Sequence, residues 1–115
     1  MSETNIYDTA NQLEREIRES SQYNALKEAF ERIQANETSK KLFEEFSELS
    51  VKLQSQQVSG QEMEEADLEK IQALTEQVGL DELISDLILK EQQMSYLIND
   101  LNRVITQPLS DLYHK

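Results

Sequence analysis

The chain has 115 residues, with 11 Lys and Arg against 23 Asp and Glu, which gives a net charge of −12. It contains no cysteine, so the sequence excludes disulfides, iron–sulfur ligation and thiolate zinc sites. Because so acidic a chain repels the phosphate backbone of nucleic acids, we expect no direct binding of DNA or RNA.

Turn-forming residues are scarce along the chain. Gly60 and Gly79 are the only glycines, and Pro108 is the only proline. Such a chain has few ways to fold except as long helices joined by short breaks. The period-two alternation of apolar and polar residues that marks strands is missing. We therefore predict an all-α fold of about five helices, an elongated helical bundle that forms a single domain over residues 1–115.

The first three helices are predicted from apolar residues that recur every three or four positions. The first runs from about residue 3 to residue 18, and the second follows Ser20 and Ser21, whose hydroxyls can cap its first turn. The third, over about residues 37–58, begins after a cap at Asn36. Its apolar residues form a heptad-like seam typical of a helix that packs alongside another. They are Leu42, Phe46, Leu49 and Leu53, and Phe43 widens the seam.

The third and fourth helices are predicted to form a hairpin. Gly60 is well placed to end the third helix in the left-handed conformation, which costs glycine little. Gly79 is expected to end the fourth helix, over about residues 62–78, in the same way. Leu80 would then fold back on Leu74, a contact that often accompanies such helix ends.

The fifth helix, from Asp81 to about Thr106, is the longest. Its apolar residues cover roughly 200° of the circumference, whereas a surface helix shows a stripe little wider than about 100°. Either this helix is central to its own bundle, or a second copy covers part of its face. Few other helices remain to surround it, so we favour a homodimer. The candidate interface residues are Phe43, Phe46, Leu87, Met94, Leu97, Ile98, Leu101, Asn102 and Ile105.

Two polar residues, Glu91 and Asn102, lie within this apolar arc. A buried Asn at a seam can fix its register at some expense of stability, and a buried Glu needs a cation, a hydrogen-bond donor or a raised pKa. The alternative is that both residues face solvent at the edge of the interface.

The side chains that perform catalysis are absent or badly placed. A di-metal site in a helical bundle needs Glu-x-x-His pairs on facing helices, and the single histidine is His114. Neighbouring carboxylates such as Glu44 and Glu45 point about 100° apart on a helix, so they do not converge on one ion. We predict no catalytic residue, no cofactor and no metal. A carboxylate-only metalloenzyme assembled across a dimer is the alternative that the residues leave open.

Several stretches in combination resemble the YheA-like group of small bacterial proteins. They are residues 6–13 (IYDTANQL), 23–30 (YNALKEAF), 42–46 (LFEEF), 97–102 (LINDLN) and 108–113 (PLSDLY). This group is similar to the wider YlbF/YmcA family of Gram-positive bacteria, and the resemblance implies an all-helical fold and intertwined dimers. In that family, YlbF and YmcA act with a third protein in competence, sporulation, biofilm formation and RNA processing. Their complex carries iron–sulfur clusters through cysteines, which this chain lacks, so the resemblance implies no cluster here.

Together these observations predict a non-catalytic helical protein that serves as a homodimeric adaptor for an unidentified protein partner. No apolar run approaches the roughly 20 residues of a membrane span and no signal peptide is evident, so we expect a cytoplasmic protein. The alternative function is a regulatory subunit linked to RNA processing or to developmental control (competence, sporulation, biofilm), and it rests on the resemblance alone.

Overall fold

A computed structural model describes residues 5–114, which form six α-helices and no strand. The helices are α1 (Ile6–Glu19), α2 (Ser21–Gln34), α3 (Glu37–Ser59), α4 (Glu65–Leu80), α5 (Glu82–Ile105) and α6 (Gln107–Tyr113). The all-α prediction is confirmed, with a short sixth helix added after the five predicted ones. Among these helices, none combines the length and the apolar character that crossing a membrane requires.

Side-chain caps explain where several helices begin and end. The Ser20 hydroxyl accepts a hydrogen bond from the amide of Tyr23 at 3.1 Å at the start of α2. Asn36 Oδ1 accepts from the amide of Ser39 at 3.0 Å at the start of α3. At the other end of α3, Gly60 takes φ 77° and ψ 11°, the left-handed conformation that glycine adopts without a steric penalty. The predictions for these three helix ends are confirmed.

The predicted end of the fourth helix at Gly79 is wrong. Helix α4 continues through Gly79 to Leu80, and Asp81 follows in an extended conformation. Leu80 is 86% exposed, so it does not fold back on the buried Leu74. Glycine permits a left-handed turn but does not require one. Here Asp81 Oδ1 accepts from the amide of Ile84 at 3.0 Å, so the next helix begins at once and no such turn is needed.

Contacts within the chain divide it into two compact units. Unit 1 joins Met1–Glu28 to Leu89–Lys115, and unit 2 is Ala29–Ile88. The described part of unit 1 is residues 5–28 and 89–114. The prediction of a single domain stays a prediction.

Unit 2 is built around the predicted hairpin, in which α3 packs against α4. Helix α4 begins at Glu65 rather than near residue 62. The Lys52 ammonium lies 2.9 Å from Asp67 Oδ2 and joins the two helices at their surface. The apolar core of this unit consists of Ala29, Ile33, Leu49, Leu74, Val78, Ile84 and Leu87.

In unit 1, Pro108 separates α5 from α6. Helix α5 ends at Ile105, and Pro108 then lies in the first turn of α6, where an amide would have no helical acceptor in any case. The Thr106 hydroxyl donates to the carbonyl of Asn102 at 2.6 Å, while the Thr106 carbonyl accepts from the amide of Ser110 at 3.1 Å. The first bond satisfies a carbonyl group in the last turn of α5, and the second satisfies an amide in the first turn of α6.

Candidate protein-interaction surface

Large apolar side chains of unit 1 are exposed on three of its helices. Their exposed fractions run from 36% for Ile98 to 82% for Tyr113. Exposed apolar side chains mark an interaction site where several of them share one face. On α5, Ile98 and Ile105 share one face, whereas Leu89 and Tyr96 lie on the opposite one. We call the ten exposed residues taken together the apolar surface of unit 1: Ile6, Tyr7, Leu89, Tyr96, Ile98, Val104, Ile105, Leu109, Leu112 and Tyr113.

A groove in unit 1 combines apolar and polar side chains. Its lining residues are Leu26, Glu91, Met94, Ser95, Ile98 and Asn99. The apolar members come from α2 and α5, and the amide and hydroxyl groups of Asn99 and Ser95 can donate or accept hydrogen bonds. Such a groove can receive a side chain that is mostly apolar and has one polar end.

The nine predicted interface residues fall into two groups. Met94, Leu97 and Leu101 are half-buried in unit 1, and Ile98, Asn102 and Ile105 are exposed there. Phe43 and Phe46 are half-buried on α3, in unit 2. Leu87 requires a correction, because only 1% of it is exposed. It packs in the core of unit 2 and does not lie on a surface that a partner can reach.

Glu91 and Asn102 are both exposed in the single chain. The sequence left open whether they are buried at a seam or face solvent, and in the single chain both face solvent. Neither residue therefore needs a buried partner to compensate its polarity.

The predicted interface residues did not include the exposed apolar side chains of α1 and α6, and Leu109, Leu112 and Tyr113 were expected to form a short turn that docks on the rest of the chain. Ile6 and Tyr7 begin α1, and Leu109 and Leu112 belong to α6. A signal was present in the sequence, since apolar residues continue past Pro108 at a spacing of three. A helix of two turns has no room to bury them on its own.

The electrostatics of unit 1 are compatible with self-association. Most of the net negative charge of the chain falls in unit 2, while acidic and basic residues are closer to balance in unit 1. On α5, Arg103 pairs with Asp100 at 2.7 Å. Two copies of unit 1 can therefore approach each other with little repulsion. Within residues 5–114, no three His, Asp or Glu side chains are grouped to hold a metal ion.

Comparison with known proteins gives concordant matches along nearly the whole chain. The model of the family described as "Control of competence regulator ComK, YlbF/YmcA" matches residues 6–110. A UPF0342 protein of Staphylococcus aureus (strain JH9) is 47% identical over 109 residues, which cover 95% of this chain and 96% of that protein. A protein of unknown function (DUF964) from Bacillus stearothermophilus has a TM-score of 0.84 at 27% identity, covering 96% of both chains. YheA from Bacillus subtilis has a TM-score of 0.72 at 34% identity, covering 96% of this chain and 100% of the other.

Proposed function

The chain belongs to the YlbF/YmcA family, and we propose that it is a cytoplasmic, non-catalytic protein-interaction module that works as a homodimer. The observation that carries this proposal is the apolar surface of unit 1, which spans α1, α5 and α6. Fully burying an exposed large apolar side chain contributes about 1.5–3 kcal/mol, so covering several of these partly exposed ones favours association.

A second copy of the chain is the occupant that this surface favours. In a two-fold dimer the same patch lies on both partners, so apolar residues meet apolar residues without the need for a different protein. Acidic and basic residues are closer to balance in unit 1, so charge repulsion opposes pairing with a second copy only weakly. The strongly acidic unit 2 then remains available to a separate protein partner.

The experiment for the homodimer is sedimentation velocity on the full chain and on two aspartate variants. Ile98→Asp places a charge in the apolar surface of unit 1, and it should convert the dimer to monomer at micromolar concentration. Val58→Asp is the matched control, because Val58 is exposed in unit 2, at the end of α3. A wild-type chain that sediments as a monomer at this concentration would contradict the homodimer.

The adaptor role needs a test of its own. A photo-crosslinking amino acid at Gln72, which is exposed on α4 in unit 2, would be compared in the native bacterium with the same group at Ile105, which shares a face of α5 with Ile98 in unit 1. We expect position 105 to crosslink to a second copy and position 72 to a different, reproducible protein. If position 72 yields no specific product, an adaptor function through unit 2 is wrong, even if sedimentation confirms the homodimer.

A second candidate function is regulation of competence. It is favoured by the description of the matching family model, which refers to control of the competence regulator ComK. The related expectations of a role in RNA processing, sporulation or biofilm formation rest on the resemblance alone. Transformation frequency and transcript processing after deletion of the gene, with complementation by the wild-type chain, test this candidate. Unchanged values in the deletion strain would remove it.

A further inference from the structure

The buried residues of the described chain all belong to one unit. Unit 2 contains every one of them: Ala29, Ile33, Ser39, Leu49, Leu74, Val78, Ile84 and Leu87. The described residues of unit 1, 5–28 and 89–114, include none. Unit 1 is therefore a compact group of helices that lacks an interior of its own.

The change from buried to exposed apolar residues occurs along single helices. In α5, Ile84 and Leu87 are each 1% exposed, yet Leu89 is 47% exposed and Ile105 is 61% exposed. In α2, Ala29 and Ile33 are buried, whereas Tyr23, Ala25 and Leu26, which precede them in unit 1, are only half-buried. Apolar residues occur on both sides of the boundary, so composition does not explain the difference. Unit 1 has apolar side chains to bury and nothing in its own chain that buries them fully.

The half-burial of residues such as Leu13, Ile17, Leu97 and Leu101 offsets only part of the cost of ordering this unit. Fixing the backbone of one residue costs about 1–2 kcal/mol, and burial of apolar surface is the main compensation. Isolated helices shorter than about 12–15 residues are marginal in water. Helix α1 has 14 residues and α6 has 7, so neither is long enough to stand without packing.

We infer that the folding of unit 1 is coupled to pairing with a second copy, whereas unit 2 is folded in the single chain. The inference rests on the proposed homodimer and adds a statement that the homodimer alone does not contain. A dimer could also form from two monomers that are already folded throughout. Here the second copy supplies the interior that unit 1 lacks, so dissociation exposes α1, residues 89–105 and α6 as largely unstructured chain.

The test is hydrogen exchange measured by mass spectrometry on the full wild-type chain, from well above to well below the dimer dissociation constant. Sedimentation under the same conditions gives the state of association. On dilution, amide protection in residues 6–19 and 89–105 should fall at least about tenfold, in step with dissociation. Protection in α3 and α4 should not change.

Ile98→Asp gives the same comparison at one concentration, with Val58→Asp as its control. The first variant should be monomeric, with rapid exchange in unit 1 and wild-type protection in α3 and α4. The second should match the wild type in unit 1. The dilution series does not depend on either variant, so it tests the inference even if a variant fails to fold.

The outcomes separate this inference from the proposed homodimer. Dissociation that leaves unit 1 protected would overturn the coupling and leave the dimer standing. Loss of protection throughout the chain would also overturn it, because unit 2 would then not be folded independently. A chain that is monomeric at every concentration would overturn both.

Discussion

The hydroxyl of Ser39 donates a hydrogen bond to Asp81 Oδ2 at 2.6 Å, although the two residues are 42 positions apart. The other carboxylate oxygen of Asp81 accepts from the amide of Ile84 at 3.0 Å and caps α5. Ser39 is buried in the first turn of α3. One carboxylate thus joins the starts of two helices of unit 2.

Removing this carboxylate should destabilise unit 2. We expect Asp81→Ala to lower the free energy of unfolding by about 1–3 kcal/mol, because it removes a helix cap and leaves the buried Ser39 hydroxyl without its acceptor. Ser39→Ala should cost about 1 kcal/mol. Urea unfolding at one fixed protein concentration measures both, with Ser55→Ala, an exposed serine of the same helix, as the control. Equal midpoints for Ser39→Ala and Ser55→Ala would show that the bond contributes nothing.

The same contact predicts how stability depends on pH. Burial alone would raise the pKa of Asp81, but hydrogen bonds from Ser39 and from the amides of Ile84 and Leu83 outweigh it, so the pKa lies below its ordinary value of 3.8. A carboxyl group whose pKa is lowered by folding stabilises the fold above its unfolded pKa and loses this effect as the pH falls through the folded pKa.

The difference in unfolding free energy between the wild type and Asp81→Asn should therefore be constant above about pH 5 and shrink below about pH 4. Urea unfolding at pH 6 and near pH 3 measures it, and the comparison with Asp81→Asn cancels the titration of the other carboxylates. A difference that grows as the pH falls would mean that the pKa of Asp81 is raised.

The two glycines should respond in opposite ways to replacement by alanine. Gly79 lies inside α4, and an added Cβ there would have no atom within 4 Å, so Gly79→Ala should stabilise the fold by about 0.5–1 kcal/mol. Gly60 has φ 77°, where a Cβ is strained, and Gly60→Ala should cost about 1–2 kcal/mol. Thermal unfolding of both variants at matched concentration measures the effects. A destabilised Gly79→Ala would indicate that this position is not helical.

The ion pair between Lys52 and Asp67 should contribute little to the hairpin. The side chain of Lys52 is 52% exposed and that of Asp67 is 17% exposed, so solvent and salt screen the attraction. A double-mutant cycle with Lys52→Gln and Asp67→Asn should give a small coupling that falls further at high salt.

The coupling between Lys52 and Asp67 is compared with the loss of stability when an apolar core residue is truncated. Leu74→Ala should cost about 2–5 kcal/mol, because Leu74 is buried in the core of unit 2. A salt-insensitive coupling as large as the effect of Leu74→Ala would mean that the charges, and not the apolar contacts, hold α3 and α4 together.

The features that could be predicted from the sequence depend on neighbouring residues. Asn36 and Gly60 mark helix ends because a cap needs only a residue type and its nearest turn. The same reasoning failed at Gly79, because a capping residue, Asp81, two positions later allowed the helix to continue. The bond between Ser39 and Asp81 could not be predicted, since nothing local to either residue indicates the other.

The apolar arc of α5 was predicted, but the sequence did not show which part of it is buried and which part is exposed. Helical periodicity places Leu87 and Ile98 on the same broad face. It does not say which part of that face the chain covers by itself. That depends on which other helices pack against each part of it, and here Leu87 is buried and Ile98 is exposed.

The composition of unit 1 from both ends of the chain has a consequence for synthesis on the ribosome. Helix α1 is translated well before the segments that complete its unit, which begin at residue 89. The hairpin of α3 and α4 is contiguous, and short loops close quickly, so we expect it to form while α5 is still being translated. During that interval α1 lacks the segments from residue 89 onward that share its unit, and a chaperone would find its apolar side chains accessible.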